Sequence, residues 1–223
     1  MSLDVIIPWG GSIDDPWRTS AFWWVRRRYH KLLPEATVII GTSNAEPFNR
    51  SEARNNAFAY SDADILVVAD ADTVFQPEAI RGAVNAIERG APWVIPYREN
   101  GGYYNLSQNA TRAVFGRDPA EEIAEPVDED DWEHKLTSWA GILVLPRTAW
   151  EKVGGYDEAF VGWGYEDNAF RVALDRLVGA HRRVQTGFVL HLWHEAPESV
   201  RFEQPFIEHN RRRFREYEAG IRP

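Results

Sequence analysis

The sequence predicts an α/β domain with a mostly parallel central sheet flanked by helices. Three observations point there. Up to Tyr97, short apolar runs that read as strands alternate with stretches of helical periodicity, the order that gives parallel strands joined by helical crossovers. The length of 223 residues suits one domain, and an apolar content of 44% is ample for its core. No internal repeat or low-complexity segment divides the chain.

Asp4–Ile7 is a buried-strand run closed by Pro8. Asp15-Pro16 supplies an N-cap with proline at the first helical position, and Trp17–Leu33 carries Phe22, Val25, Tyr29 and Leu32 at helical spacing. Thr37–Ile40 is a β-branched strand closed by Gly41, Asn49–Tyr60 a helix, and Ile65–Ala69 a buried strand. Pro77–Arg89 is a helix stopped by Gly90, and Trp93–Ile95 a short strand. Residues 98–137, with Gly101-Gly102 and the acidic run Glu125–Asp131, read as a long, mobile, loop-rich insert with short helical pieces. A strand at Gly141–Leu145, a helix from Arg147, a second helix ending near Val178, a strand at Phe188–Trp193 and a polar helix at Gln204–Tyr217 complete the order. The expectation is one domain, 1–223, with a first half at 1–97, the insert, and a second half at 138–223.

The formal charge of −9 argues against unaided, non-specific binding to nucleic acid. Charged residues at 26% and aromatic residues at 13% exclude an intrinsically disordered chain. No apolar run approaches the roughly 20 residues of a membrane span, and no signal-like segment is visible at the N-terminus. Without cysteine there is no disulfide, zinc–thiolate site or thiol nucleophile. A cytoplasmic location is the expectation, and the use of Arg over Lys (only Lys31, Lys135 and Lys152) points to a bacterial or phage source.

Asp-x-Asp occurs at Asp62/Asp64, Asp70/Asp72 and Asp128/Asp130, and context separates the three. Asp70-Ala71-Asp72 sits where the run Ile65–Ala69 ends, and ligands of open α/β sheets bind beyond the carboxyl ends of strands. Two carboxylates there repel each other, and a divalent ion bridging them to a pyrophosphate would offset that repulsion. A solvated turn with Asp70 as a cap is the structural alternative. His191 and His194 lie at another strand end, and a mixed His/carboxylate set favours Mn²⁺ over Mg²⁺. Joint ligation requires the strand to end before His194, since strand alternation would otherwise place the two on opposite faces. Each histidine alone reads as a hydrogen-bonded rim residue.

Gly162-Trp163-Gly164-Tyr165-Glu166-Asp167 lets the backbone turn tightly and presents a flat ring suited to stacking on a sugar. Glu166 and Asp167 fall in the first turn of the following helix. The macrodipole alone explains acids there, and a first-turn carboxylate facing a cleft can instead take a proton from an attacking hydroxyl.

Together these residues resemble the GT-A-fold nucleotide-sugar glycosyltransferases, closest to the β-1,4-galactosyltransferase family and more distantly the polypeptide N-acetylgalactosaminyltransferases. Phe48-Asn49-Arg50 resembles the family's nucleotide-contacting segment, Asp70-Ala71-Asp72 its metal-binding motif, Gly162–Asp167 its acceptor and catalytic segment, and His191–His194 its late metal-ligand pair. Pro8 resembles the proline that ends the family's first strand. The resemblance implies a GT-A (Rossmann-like) fold and a metal-dependent transfer from a UDP-sugar to a hydroxyl of a small molecule, glycan or protein. It places Pro8, Phe48, Arg50, Asp70 and Asp72 at the nucleotide-sugar, and Asp72, His194 and His191 on Mn²⁺, with Mg²⁺ as the alternative ion. Trp163, Tyr165 and Glu166 would hold the acceptor. Asp167, with Glu166 beside it, would carry the catalysis as general base of an inverting reaction.

Other readings stay open. One is a retaining transferase of the same fold. Another is a non-catalytic carbohydrate- or nucleotide-binding module, which would not need Asp72 and Asp167. A third is a nucleotidyltransferase, which has no use for the Gly-Trp-Gly platform. The segment from Glu195 to Gln204 is expected to order over the donor. Arg211-Arg212-Arg213-x-Arg215, interleaved with Glu208, Glu216 and Glu218, reads as a salt-bridged helix face, which leaves a nucleic acid acceptor disfavoured.

Overall fold

Six consecutive buried residues, Leu3–Pro8, form β1 at the heart of the computed structural model, which describes residues 1–11, 15–136, 139, 141–195 and 206–222. α1 (Pro16–Leu32) leads to β2 (Ala36–Gly41), and α2 (Arg50–Phe58) leads to β3 (Ile65–Ala69). Both strands pair with β1 in parallel. The side chains of Val5, Ile6, Ile7, Ile65, Leu66 and Val67 are fully buried, as strands covered on both faces require. α1 begins as its sequence predicts, with Pro16 in its first turn and the Asp15 side chain accepting from the Arg18 N–H at 3.0 Å.

The chain continues through β4 (Thr73–Val74), α3 (Pro77–Glu88) and β5 (Val94–Ile95). Residues 98–137 correct the loop-rich expectation. They contain β6 (Tyr103–Leu106), α4 (Gln108–Phe115), a 3₁₀ turn (Glu129–Asp131) and β7 (Trp132–Leu136). Buried Arg28 of α1 fixes this segment by donating to the carbonyls of Pro119 and Glu121 at 2.8 and 2.9 Å. Burial lowers the pKa of that guanidinium to about 10, so it is charged at neutral pH. Next come β8 (Ile142–Pro146), α5 (Arg147–Val153), α6 (Glu166–Leu177), β9 (Arg182–Arg183), β10 (Val189–His191) and α7 (Ile207–Glu218).

Two sheets result. The larger has the order β2-β1-β3-β8-β5-β9, with β8 antiparallel to both neighbours and the other pairs parallel. The smaller, β4-β10-β6-β7, pairs β10 in parallel with β6 and antiparallel with β4. Asp70, Ala71 and Asp72 are therefore the crossing point, where the chain leaves β3 in one sheet and enters β4 in the other. Most of the segment expected to order over the donor lies outside the described residues.

Candidate active site

The crossing point carries a compact donor set. The Asp72 carboxylate faces both imidazoles, with Oδ1 at 3.5 Å from His191 Nε2 and Oδ2 at 3.3 Å from His194 Nε2. The three ligand atoms lie within 4.8 Å of one another. β10 ends at His191, which removes the alternation that would have separated the histidines. The backbone does the aiming: Leu192 N donates to the Asp72 carbonyl and Trp193 N to Thr111 Oγ1, each at 2.8 Å. His194 Nδ1 lies 3.0 Å from the Glu195 carbonyl, a contact that keeps a proton on Nδ1, so that loss of the other ring proton frees the Nε2 lone pair for a metal. Burial disfavours the charged form of Asp72, yet the imidazoles beside it hold its carboxyl well below the usual range. Burial keeps His191 below its ordinary pKa; it opposes charging of His194 too, but there the hydrogen bond and the negative charge of Asp72 together outweigh it and the pKa is raised. An anionic oxygen and two imidazole nitrogens converging on one point fit a divalent transition ion such as Mn²⁺ better than the all-oxygen preference of Mg²⁺.

A second cluster adjoins the first through Asp70. Asn49 caps α2 by accepting from Glu52 N at 3.0 Å, while its amide donates to the carbonyls of Glu158 and Phe160 at 2.7 and 3.2 Å. Asn55 donates to the Tyr156 carbonyl at 2.8 Å. These bonds stitch α2 to the loop that leads into the Gly-Trp-Gly turn. They bring Arg50 Nη1 to 3.6 Å and Arg54 Nη1 to 3.7 Å from Glu166 Oε1. Arg54 also reaches Asp70 Oδ1 at 2.8 Å and Asp167 Oδ1 at 3.3 Å.

The turn itself is sharp. Gly162 and Gly164 have φ of 64° and 107°, and a Cβ on Gly162 would come within 2.7 Å of Phe206. Tyr165 caps α6 at φ 73°, a left-handed conformation costly for a non-glycine residue. Glu166 Oε2 holds the turn by accepting from Gly164 N at 3.0 Å. Buried Asn210 of α7 clasps the preceding strand of chain, accepting from Val161 N at 3.0 Å and donating to the carbonyls of Val161 and Trp163 at 2.8 and 3.3 Å.

Glu166 and Asp167 consequently differ. Glu166 is 4% exposed, committed to Gly164 and faced by two guanidiniums, whereas Asp167 is 16% exposed. Burial pushes the Asp167 carboxyl up to about 7, aided by Glu166 and Asp70 and opposed by Arg54 and Arg50. A carboxylate that exchanges its proton near neutrality is chemically equipped to act as a base.

Of the other predicted residues, Pro8 ends β1, and Phe48 covers Gly10, whose added Cβ would meet the Phe48 ring at 2.8 Å. Arg50 faces Glu166. Tyr165 turns onto α7, its ring 5.6 Å from that of Phe214 and its hydroxyl accepting from Arg211 Nε at 3.2 Å. Within the arginine run, Arg211 pairs with Glu208 on the helix face as expected, whereas Arg213 pairs off the helix, with Asp157 of the loop before α6. Sequence reading passed over Arg54, Asn49 as a cap, and Asn210. Only Asn49, a capping residue just before a helix, carried a local signal.

The sequence model described as glycosyl transferase family 2 matches residues 14–136, and that described as the N-terminal domain of galactosyltransferase matches residues 127–195. No curated protein matches the sequence. Solved structures share the fold. A mutant of Drosophila β1,4-galactosyltransferase 7 in complex with manganese, UDP-Gal and xylobiose superposes with a TM-score of 0.56 at 15% identity, over 94% of this chain and 79% of that one. The catalytic domain of the Drosophila enzyme with xylobiose gives 0.53 at 13% identity, over 86% and 70%. Glucosyl-3-phosphoglycerate synthase from Mycobacterium tuberculosis, in complex with Mn²⁺, UDP-glucose and phosphoglyceric acid, gives 0.53 at 13% identity, over 98% and 79%. The shared architecture is the GT-A glycosyltransferase fold.

Proposed function

The chain belongs to glycosyl transferase family 2, and from that membership we propose that it transfers a sugar from a UDP-sugar to an acceptor hydroxyl with inversion at the anomeric carbon. The observation that carries this reading is the juxtaposition, across Asp70 and Arg54, of the Asp72–His191–His194 donor set with Asp167. The mutant Drosophila structure and the mycobacterial structure each contain manganese and a UDP-sugar, which supports the same donor and ion here. Residues 1–97 would supply most of the donor half, and residues 138–223 the acceptor half together with the two histidines.

Asp72, His191 and His194 would hold Mn²⁺, whose charge, when bound, offsets that of the departing diphosphate. Pro8, Phe48, Arg50 and Asp70 would line the nucleotide-sugar side. The Trp163 ring would stack on the acceptor. Glu166 would hold the Gly-Trp-Gly turn against Arg50 and Arg54, a positioning role in keeping with its burial. Asp167 would accept the acceptor proton while the acceptor oxygen bonds to the anomeric carbon, the bond from that carbon to the diphosphate oxygen breaks, and UDP leaves. Proton NMR of the product tests the stereochemistry: inverted configuration is expected, and retained configuration overturns the base assignment.

Among the described residues no helix is long and apolar enough to cross a membrane.

A further inference from the structure

The placement of Arg54 is unusual. It is 2% exposed, its guanidinium lies 4.6 Å from the Tyr156 ring centre, and it touches carboxylates from two parts of the fold. Nη2 bonds to Asp70 at the end of β3, whereas Nη1 is 3.3 Å from Asp167 at the start of α6. Nη1 is buried and makes no hydrogen bond among the described residues, so its link to Asp167 is one of charge. A fully buried donor left in that state is uncommon and needs a reason.

We propose that Arg54 is a positioning residue for the transfer, bracing the donor-side Asp70 against Asp167 and keeping the Asp167 carboxylate anionic and in place. The inference rests on Asp167 being the base. The groups around Asp167 are Arg50 and Arg54 from α2, Glu166 beside it, Asp70 from the end of β3, and Tyr156 from the loop before α6. Two cations thus face three acids. Removing Arg54 leaves one cation against three, and Asp167 then retains its proton to higher pH. Loss of an opposite charge at this distance moves a carboxyl by about one pH unit or more. A residue that only fills space would not move that titration.

The test is carbon-13 NMR of Asp-labelled protein, with the Asp167 carboxyl resonance assigned by its disappearance in Asp167→Asn and titrated in parent, Arg54→Lys and Arg54→Gln. The midpoint should rise by about one unit or more in Arg54→Gln and stay within about half a unit of the parent in Arg54→Lys. UDP release from UDP-glucose or UDP-galactose with Mn²⁺ and water as acceptor should show the same displacement in its acid limb. Equal midpoints in all three proteins overturn the proposal. Should Arg54→Gln not fold, Arg54→Met provides the uncharged comparison, and failure of both to fold makes Arg54 a structural residue and likewise overturns it. Full activity in Asp167→Asn would instead sink the base assignment, and a dead Asp167→Asn with unshifted Arg54 variants would sink this inference alone.

Discussion

The N–H of Leu192 donates to the backbone carbonyl of Asp72 at 2.8 Å, so the residue after the first histidine is bonded to the residue whose carboxylate faces both. β10 and β4 meet here, and the donor set is a product of strand pairing rather than of nearby sequence. Asp72→Ala should abolish Mn²⁺ binding measured by calorimetry, and His194→Ala should weaken it at least about tenfold.

Asp167→Asn should lower UDP release about 10²–10⁴-fold, the usual contribution of a positioned base, with UDP affinity unchanged. Glu166→Gln should also be impaired, with a fall in thermal stability that Asp167→Asn does not share, because it removes the charge that faces buried Arg54 and Arg50.

The pH dependence has a definite sign. Asp167 must be deprotonated to act, and its carboxyl lies at about 7, so kcat/KM should rise about tenfold per pH unit below that value and level off above it. Stability runs the other way. A carboxyl raised above its unfolded value costs stability as pH climbs from about 4 to 7. Asp167→Asn should therefore raise Tm most above pH 7, with the gain shrinking as pH falls toward 4.

Asn210 is buried and makes three bonds to the backbone of residues 161–163. Asn210→Ala leaves those groups unpaired, at a cost of about 1–3 kcal/mol and several degrees of Tm. UDP affinity should be unaffected, because among the described residues the Asn210 side chain bonds to the turn proposed to hold the acceptor.

The strands β1, β2 and β3, and the helices between them, were legible because their signals are local: apolar runs such as Val5–Ile7, the Asp15-Pro16 start of α1, the glycine closing β2. β6 was not. Tyr103–Leu106 is a strand because β7 and β10, both later in the chain, pair on either side of it, and no pattern within four residues records that. The chemistry-bearing residues stood out as motifs, whereas their supports did not. Arg54 and Asn210 act through contacts that exist only once α2 and α7 pack against the loop ahead of α6. Nor does the sequence around Tyr165, expected at the acceptor, record its left-handed φ or the packing of its ring 5.6 Å from that of Phe214 on α7.

Asp72, His191 and His194 are proposed to hold a metal against which a uridine diphosphate binds. Calorimetric titration of UDP into metal-free protein, with and without Mn²⁺ and repeated on Asp72→Ala, tests it most directly. Binding should require Mn²⁺ and be lost in the variant. UDP that fails to bind the parent protein under either condition, or binds equally with and without Mn²⁺, would contradict it.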